Sequence, residues 1–226
     1  MNPAIPDYIS LVFTLTTLCA IWLFKKAFNP RQSTFLALFI WLVLQAYLSY
    51  NGFYKDTSTT PPMFALAIIP SLLFILALFL SKKGRVFIDS LSLEAMHWIH
   101  TVRIPVELIL WALFLAEQIP KIMTFGGRNY DIIAGLTAPL LVYYGIRRPI
   151  IDKGRMLLWN FLGLFLLLNI VVMAILSVET PFQQLAFDMP NKAIIEFPII
   201  WLPSFIVPLV LFSHLVSIRQ LLKKKA

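Results

Sequence analysis

The sequence has few charged residues, few glycines and a single cysteine. Charged residues make up 13% of its 226 residues, whereas hydrophobic residues make up 59%. Soluble domains average about 25% charged and about 45–50% apolar residues, so an ordinary soluble fold is excluded. Lipid tolerates such a composition on every outward face of a helix bundle. We therefore expect an all-α, polytopic membrane protein in which residues 1–226 form a single transmembrane domain.

Several motifs of well-known membrane proteins and enzymes are also missing. The lone cysteine, Cys19, has no partner for an intramolecular disulfide. Neither H-E-x-x-H nor C-x-x-C-H occurs, and the chain has no nucleophile elbow. The last apolar run has no central lysine that could form a retinal Schiff base, which argues against a rhodopsin. The chain also has no large extramembrane segment for a nucleotide-driven pump, and no catalytic residue can be assigned.

Long apolar runs predict seven transmembrane helices. A span needs roughly 20 apolar residues to cross the hydrocarbon core. The first run follows an acidic start without a basic segment, so we interpret it as a retained span rather than a signal peptide. The predicted spans lie near residues 8–24, 33–50, 62–81, 97–118, 131–146, 156–177 and 194–218.

Basic residues alternate between the loops and predict the orientation. Lysine and arginine outnumber acidic residues by 19 to 11, which in a soluble protein would suggest nucleic acid binding. Here 14 of the 19 lie in alternate loops or at the C-terminus: Lys25, Lys26, Arg31, Lys82, Lys83, Arg85, Arg147, Arg148, Lys153, Arg155, Arg219 and Lys223–Lys225. By the positive-inside rule we expect the N-terminus outside, the C-terminus in the cytoplasm and no nucleic acid partner. We expect the chain to be a multi-pass protein of the plasma (inner) membrane.

Two segments between or within the spans have unusual composition. Residues 86–96 mix apolar and acidic residues and fit either a short interfacial helix that runs into the fourth span or simply the first turns of that span. The fifth span is short, contains Gly135 and Pro139, and follows a Gly126-Gly127 turn. Short, interrupted spans indicate binding sites in transporters, although small residues also allow close helix packing. The sequence leaves both interpretations open.

The fourth span contains the principal candidate site. At about 100° per residue, its polar side chains share one face, and we expect that face to point into the bundle. His100, Arg103 and Glu107 lie on this face, and Asn160 of the sixth span is a candidate partner. Arg103 could snorkel towards headgroups, whereas Glu107 lies near mid-membrane. Glu107 could exchange protons near neutral pH, or form a permanent ion pair with Arg103 one turn away.

Three histidines suggest a second kind of site. His97 and His100 are three residues apart on the same span, and His214 is expected at a similar depth in the seventh span. They could hold a metal or haem, although a histidine near the cytoplasmic end of a helix is more often an interfacial hydrogen-bonding group. We expect no cofactor, with this metal or haem site as the alternative.

A further polar cluster is expected on the outer side. The cluster comprises Glu117, Gln118, Arg128, Asn129, Tyr130, Asp131, Asn191, Lys192 and Glu196. The candidates among them for lining an external vestibule are Glu117, Arg128, Asp131 and Glu196. Asp131 and Asn191 also stand where helix caps are expected. Both interpretations remain open at this stage.

The leading functional hypothesis is binding or transport of a small solute or proton through the polar site of the fourth span. One alternative is a non-catalytic subunit, anchor or sensor, which requires a protein partner or a homo-oligomer. The other is a membrane-embedded, metal- or haem-dependent enzyme that uses the histidines. In every case the lipid bilayer is the expected surrounding.

Overall fold

The computed structural model describes residues 5–56 and 59–223, and these residues are helical without any β-strand. The nine α-helices in this part of the chain are α1 (Asp7–Phe28), α2 (Gln32–Tyr50), α3 (Ala65–Leu80), α4 (Lys82–Ser90), α5 (Leu93–Ile99), α6 (Arg103–Leu115), α7 (Ile132–Leu141), α8 (Lys153–Leu176) and α9 (Val207–Leu222). Short 3-10 and π-helical segments connect or extend several of them. The predicted all-α class is confirmed.

Five helices are long and apolar enough to cross a membrane. They cover Asp7–Phe28, Gln32–Tyr50, Leu93–Leu115, Lys153–Leu176 and Leu202–Leu222. The pair α3 and α4 makes a sixth candidate if this broken helix counts as one span. Helix α7 and the π-helical turn after it form a shorter apolar helix. The structure thus supports several spans by length and composition.

The fourth predicted span is a nearly continuous helix. α5 and α6 are joined by a 3-10 turn, His100–Val102, into the 23-residue segment Leu93–Leu115, called here the α5–α6 helix. It begins four residues before the predicted span, because Ser92 accepts a hydrogen bond from the Ala95 amide and caps its first turn. Arg103 is therefore its eleventh residue and lies at its middle.

Several basic helix ends adjoin one another at one end of the bundle, called here the basic end. The end of α1 contacts α4 through the Phe28 and Phe87 rings, 6.4 Å apart. The Lys153 ammonium donates to the Lys223 carbonyl at 2.8 Å, which joins the start of α8 to the end of α9. Lys224 and Lys225 lie outside the described residues. The other side of the bundle is called the far end.

Helix α4 lies across the basic end. It bends by 93° from α3, and its first turn is capped by the Ser81 hydroxyl, which accepts from the Gly84 amide. The sequence predicted an interfacial helix over residues 86–96 running into the fourth span. The interfacial helix instead covers Lys82–Ser90 and ends before α5, because the chain becomes extended at Leu91. Residues 93–96 form the first turn of α5, as the alternative interpretation expected. Asp89 ties α4 to α9 through Arg219, 2.8 Å away.

Two irregular segments, residues 116–131 and residues 177–201, fold into the far end of the bundle. Residues 116–131 include the fully buried Thr124 and Asn129, and they return the chain alongside α6. The Gln118 carbonyl accepts from the amides of Lys192 and Ala193 at 3.0 and 3.2 Å, so this segment is tied to the one before α9. Residues 116–131 are called the re-entrant segment below.

The last predicted span begins later than its hydropathy suggests. Residues 194–201 are apolar except for Glu196, and half of them are buried, yet the long helix starts only at Leu202. Pro198 and Pro203 supply no amide hydrogens there, so an uninterrupted α-helix is disfavoured. The start of the helix is π-helical over Leu202–Ile206. The hydropathy of these residues therefore predicted too early a start for the last helix.

Candidate functional site

The polar face of the α5–α6 helix points into the bundle. The relative exposures of His97, His100, Arg103 and Glu107 are 0%, 0%, 3% and 2%. α7, α8 and α9 and the re-entrant segment supply the groups that surround them. Gly135 of α7 has no room for a Cβ atom, which would lie 2.9 Å from the Ile104 side chain. This close approach supports the packing interpretation of the small residues in the fifth span.

Arg103 forms a buried ion pair with Asp131. Its Nε lies 2.9 Å from Asp131 Oδ2, and the exposures of the two side chains are 3% and 6%. Its Nη2 donates to the Gly163 carbonyl at 3.0 Å, and its Nη1 lies 3.2 Å from His214 Nε2. The expectation that Arg103 could snorkel is wrong, because its guanidinium is held at mid-helix by these three groups.

Glu107 is therefore left without a basic partner. Among the described residues, no Lys, Arg or His nitrogen lies within 4.0 Å of its carboxyl oxygens, so the alternative of an Arg103–Glu107 pair is wrong. Its two oxygens lie 2.7 and 2.8 Å from a single atom, Asn129 Nδ2. That amide nitrogen also donates to the Met123 carbonyl. The Glu107 carboxylate, which has about four acceptor sites when ionised, therefore receives a single N–H of the Asn129 amide, and its two oxygens share it.

Asn129 links the two acids of the site. Its Oδ1 accepts from the Asp131 backbone amide at 3.1 Å, while its Nδ2 holds Glu107. Both contacts arise because the re-entrant segment returns beside α6. The sequence placed Asn129 in the outer polar cluster and not with Glu107, since no local periodicity connects it to the fourth span. The Gly-Gly turn just before it was the one sequence signal for such a fold-back.

Asn160 of α8 connects the histidines towards the basic end. Its Oδ1 lies 3.1 Å from His214 Nδ1, and its Nδ2 lies 3.2 Å from His97 Nε2. His97 Nδ1 is 2.8 Å from the Leu93 carbonyl, which can only accept a hydrogen bond. Arg103 can only donate to His214, so both rings fit the neutral form with the hydrogen on Nδ1. The hydrogen bonds from Arg103 through His214, Asn160 and His97 to the Leu93 carbonyl then all donate in the same direction.

His100 packs against this chain without joining it by a hydrogen bond. Its ring stacks on His214 with centroids 3.9 Å apart, and it meets the Trp159 ring in a T-shaped contact with centroids 5.3 Å apart. Neither ring nitrogen has a hydrogen-bond partner among the described residues. The candidate residues His100, Arg103 and Asn160 are therefore brought together, while Glu107 lies on the far-end side of Arg103.

The three histidines are close, but their nitrogens are not arranged around a common point. The acceptor nitrogens of His97 and His214 are occupied by Asn160 and Arg103, and the rings of His100 and His214 are stacked face to face. Within residues 5–56 and 59–223, no group of three His, Cys, Asp or Glu side chains could hold a metal ion. The geometry gives the metal or haem hypothesis no support.

The four candidate vestibule residues do not form one cluster. Asp131 is buried against Arg103, and its side chain makes no capping bond, so the cap interpretation is wrong for this residue. Glu117 and Arg128 are exposed, and Glu196 pairs with Lys55 at 3.0 Å. Only Asp131 belongs to the site around the α5–α6 helix.

The charges of the buried site do not balance if both acids are ionised. Arg103 supplies one permanent positive charge, and the hydrogen bonds of His97 and His214 fit neutral rings. An ionised Asp131 neutralises the positive charge of Arg103. An ionised Glu107 would remain uncompensated in an apolar interior, which is costly. The site can therefore accept one proton at Glu107.

Comparison with known proteins identifies a family for most of the chain. No curated protein and no solved structure matches it. Residues 60–222 match a family described as Domain of unknown function (DUF8737). The matched segment runs from just before α3 to the end of α9, so it contains the whole site around the α5–α6 helix. Because more than half of its residues are matched, the chain belongs to the DUF8737 family.

Proposed function

We propose that this protein binds a proton at Glu107 and transports it, alone or with a small solute, across the membrane. The observation that carries the proposal is the buried Glu107 carboxyl, which has no basic partner while the neighbouring Arg103 is neutralised by Asp131. A carboxyl group in this position is most stable when it holds a proton. Loss of that proton creates a buried charge that another cation can compensate.

The re-entrant segment is the element that we propose changes during transport. It supplies both Asn129, which holds Glu107, and Asp131, which holds Arg103. Movement of this one segment would alter the partners of both charged side chains together. Towards the basic end, the site continues into the hydrogen bonds of His214, Asn160 and His97. Glu107 thus lies between a segment of the far end and a polar chain leading to the basic end.

The proposed topology has seven passes, with the N-terminus outside and the basic end in the cytoplasm. Besides the five long helices, it counts α3 and the Ile132–Arg147 helix as short passes. α3 has 16 residues, which gives a length of roughly 24 Å. The shared position of basic residues at one end supports this orientation. The proposed location is the plasma membrane.

Infrared difference spectroscopy of the purified protein would test the proton site directly. A protonated carboxyl group has a C=O stretching band that disappears when the proton is lost. Between about pH 6 and pH 9, where ordinary exposed carboxyl groups are already ionised, we expect this band to titrate in the wild-type protein and to be absent from the Glu107→Gln variant. Glu117→Gln is the matched control, because Glu117 follows the end of the same helix and is exposed. The control should keep the band.

Proteoliposomes with a trapped pH indicator would test transport. We expect proton uptake driven by a potassium diffusion potential in the wild-type protein and the Glu117→Gln control, and a loss in Glu107→Gln. A titrating band that survives in Glu107→Gln would overturn the assignment of the proton site. Equal uptake by all three proteins would overturn transport through Glu107. Uptake no faster than that of empty liposomes would overturn transport altogether and favour a binding or structural role within a larger assembly.

A further inference from the structure

A second site lies away from Glu107, between α2 and the rest of the bundle. This lateral cavity has a volume of about 760 Å³ and is lined by parts of α1, α2, α3, α4 and α9. Sites for small molecules usually have volumes of roughly 300–1,000 Å³. Its walls are mainly aromatic and aliphatic, with Phe24, Phe28, Phe74 and Phe212 among them. The cavity is therefore large enough for an apolar ligand.

The cavity forms because α2 is fastened to the bundle through its far-end half. The Trp201 indole donates to the Leu42 carbonyl at 2.9 Å, and the Ser49 hydroxyl donates to the Ile195 carbonyl at 2.7 Å. Towards the basic end, Thr34 and Ala37 of α2 instead line the open space.

At the inner end of the cavity, the Ser204 carbonyl accepts hydrogen bonds from two side chains and holds three helices together. The Ser204 carbonyl accepts from Trp41 Nε1 at 3.1 Å and from the Ser71 hydroxyl at 2.9 Å. Pro208, four residues further along the chain, has no amide hydrogen to donate to this carbonyl. These bonds join α2, α3 and the start of the last helix, so the inner end of the cavity has defined walls and no unsatisfied donor.

The mouth of the cavity is polar and positively charged. Asn29 and Arg31 line it at the basic end, and no acidic residue contributes to its wall. Among the described residues, Arg31 has no carboxylate within 4.0 Å. Lys25, in the last turn of α1, lies over the Phe35 ring of α2 and adds positive charge nearby. The mouth is thus suited to an anionic group.

The depth of the cavity matches one leaflet of a bilayer. Arg31 at the mouth and Trp41 at the inner end are ten residues apart, and α2 rises about 1.5 Å per residue. The cavity is therefore roughly 15 Å deep, which is half of a hydrocarbon core of about 30 Å. An acyl chain that begins at the headgroup level would end near Trp41.

We infer that the lateral cavity binds one anionic phospholipid, with an acyl chain between α2 and α9 and the phosphate group at Arg31. The apolar wall selects a lipid over a free phosphate, and the unpaired guanidinium selects an anionic headgroup over a zwitterionic one. This site is separate from Glu107 and does not depend on proton transport.

Native mass spectrometry would test this inference on protein released from nanodiscs. The nanodiscs would contain equal amounts of phosphatidylglycerol and phosphatidylcholine with identical acyl chains. We expect wild-type protein to retain one lipid molecule, mainly phosphatidylglycerol. Arg31→Gln should lower this preference about fivefold, since one basic residue near an anionic surface contributes about that factor. Lys83→Gln, which removes an unpaired charge of the same end outside the cavity, should change it little.

A cavity-filling variant separates this site from general lipid contacts. Ala37→Trp should abolish retention of both lipids, because its side chain would occupy the cavity. Ile40→Trp places the same bulk on the outward face of α2, where Ile40 is 58% exposed, and should retain lipid as the wild type does. Circular dichroism and size-exclusion profiles of all variants would verify their folding. Equal retention of both lipids by the wild type, or an unchanged preference in Arg31→Gln, would overturn the inference.

Discussion

Replacing Asp131 with leucine should be among the most damaging single changes in the protein. The substitution removes the 2.9 Å contact to Arg103 Nε and leaves a guanidinium with 3% exposure next to an apolar side chain. Two bonds of Arg103 remain, to Gly163 and His214, but neither partner carries a compensating charge. Breaking a buried pair in this way costs about 3–5 kcal/mol. In a chain of this size, such a loss lowers the Tm by roughly 6–20 °C.

Thermal unfolding in detergent, followed by tryptophan fluorescence, would measure this effect. The matched comparison is the double variant Arg103→Met/Asp131→Leu, which replaces both charges by apolar groups. Replacing a whole buried pair is often neutral, so the double variant should unfold at a higher temperature than Asp131→Leu alone. If the two substitutions simply add, or if Asp131→Leu lowers the Tm by less than about 3 °C, the charge balance argued for this site is incorrect.

The Asp131→Leu variant also tests whether Glu107 can replace Asp131 as the partner of Arg103. Glu107 lies one turn from Arg103 on the same helix, so an ionised Glu107 could approach the guanidinium once Asp131 is gone. Adding Glu107→Gln to Asp131→Leu should then cost more stability than Glu107→Gln costs alone. Equal costs would show that Asn129 keeps Glu107 away from Arg103 in both backgrounds.

Two further changes probe neighbouring contacts. A Cβ atom at Gly163 would lie 2.5 Å from His214, so Gly163→Ala should displace that ring and cost about 1–3 kcal/mol by thermal unfolding. Gly154→Ala, in the exposed first turn of α8, would bring a Cβ atom 3.0 Å from the Asp152 carboxylate, which can shift towards solvent, and should cost much less. Hydrogen bonding from Arg219 lowers the pKa of Asp89 from 3.8 to about 2, so its stabilisation is present above about pH 4 and is lost as the pH falls to about 2. Asp89→Asn should remove up to about 1 kcal/mol of that pH dependence, and an unchanged acid unfolding curve would contradict the pairing.

Helix class and the buried polar face followed directly from the sequence. Hydropathy identified the long helices, because a span must satisfy its backbone hydrogen bonds internally. Helical spacing placed His100, Arg103 and Glu107 on one face, and all three are buried. These properties depend on local periodicity and on the high cost of exposing a charge to lipid.

The partners of those residues did not follow from the sequence. Spacing along the helix favoured Glu107 as the partner of Arg103, whereas the structure pairs Arg103 with Asp131. The difference arises from the re-entrant segment, whose buried position depends on contacts with a distant part of the chain, such as that of Gln118 with Ala193. The contact of Asn129 with Glu107 was not predicted for the same reason. No hydropathy pattern distinguishes a loop that returns into the bundle from one that stays at the surface.

The two proposed sites depend on different parts of the chain. Every side chain of the network around Glu107 lies within residues 60–222, the segment shared with the DUF8737 family. The lateral cavity also needs α1 and α2, which precede that segment, and its only proposed charged contact, Arg31, is there. Proteins of the family that lack equivalents of α1 and α2 could therefore keep the proton site without the lipid site. Retained proton uptake in Arg31→Gln, together with a lost lipid preference, would be the expected result for two independent sites.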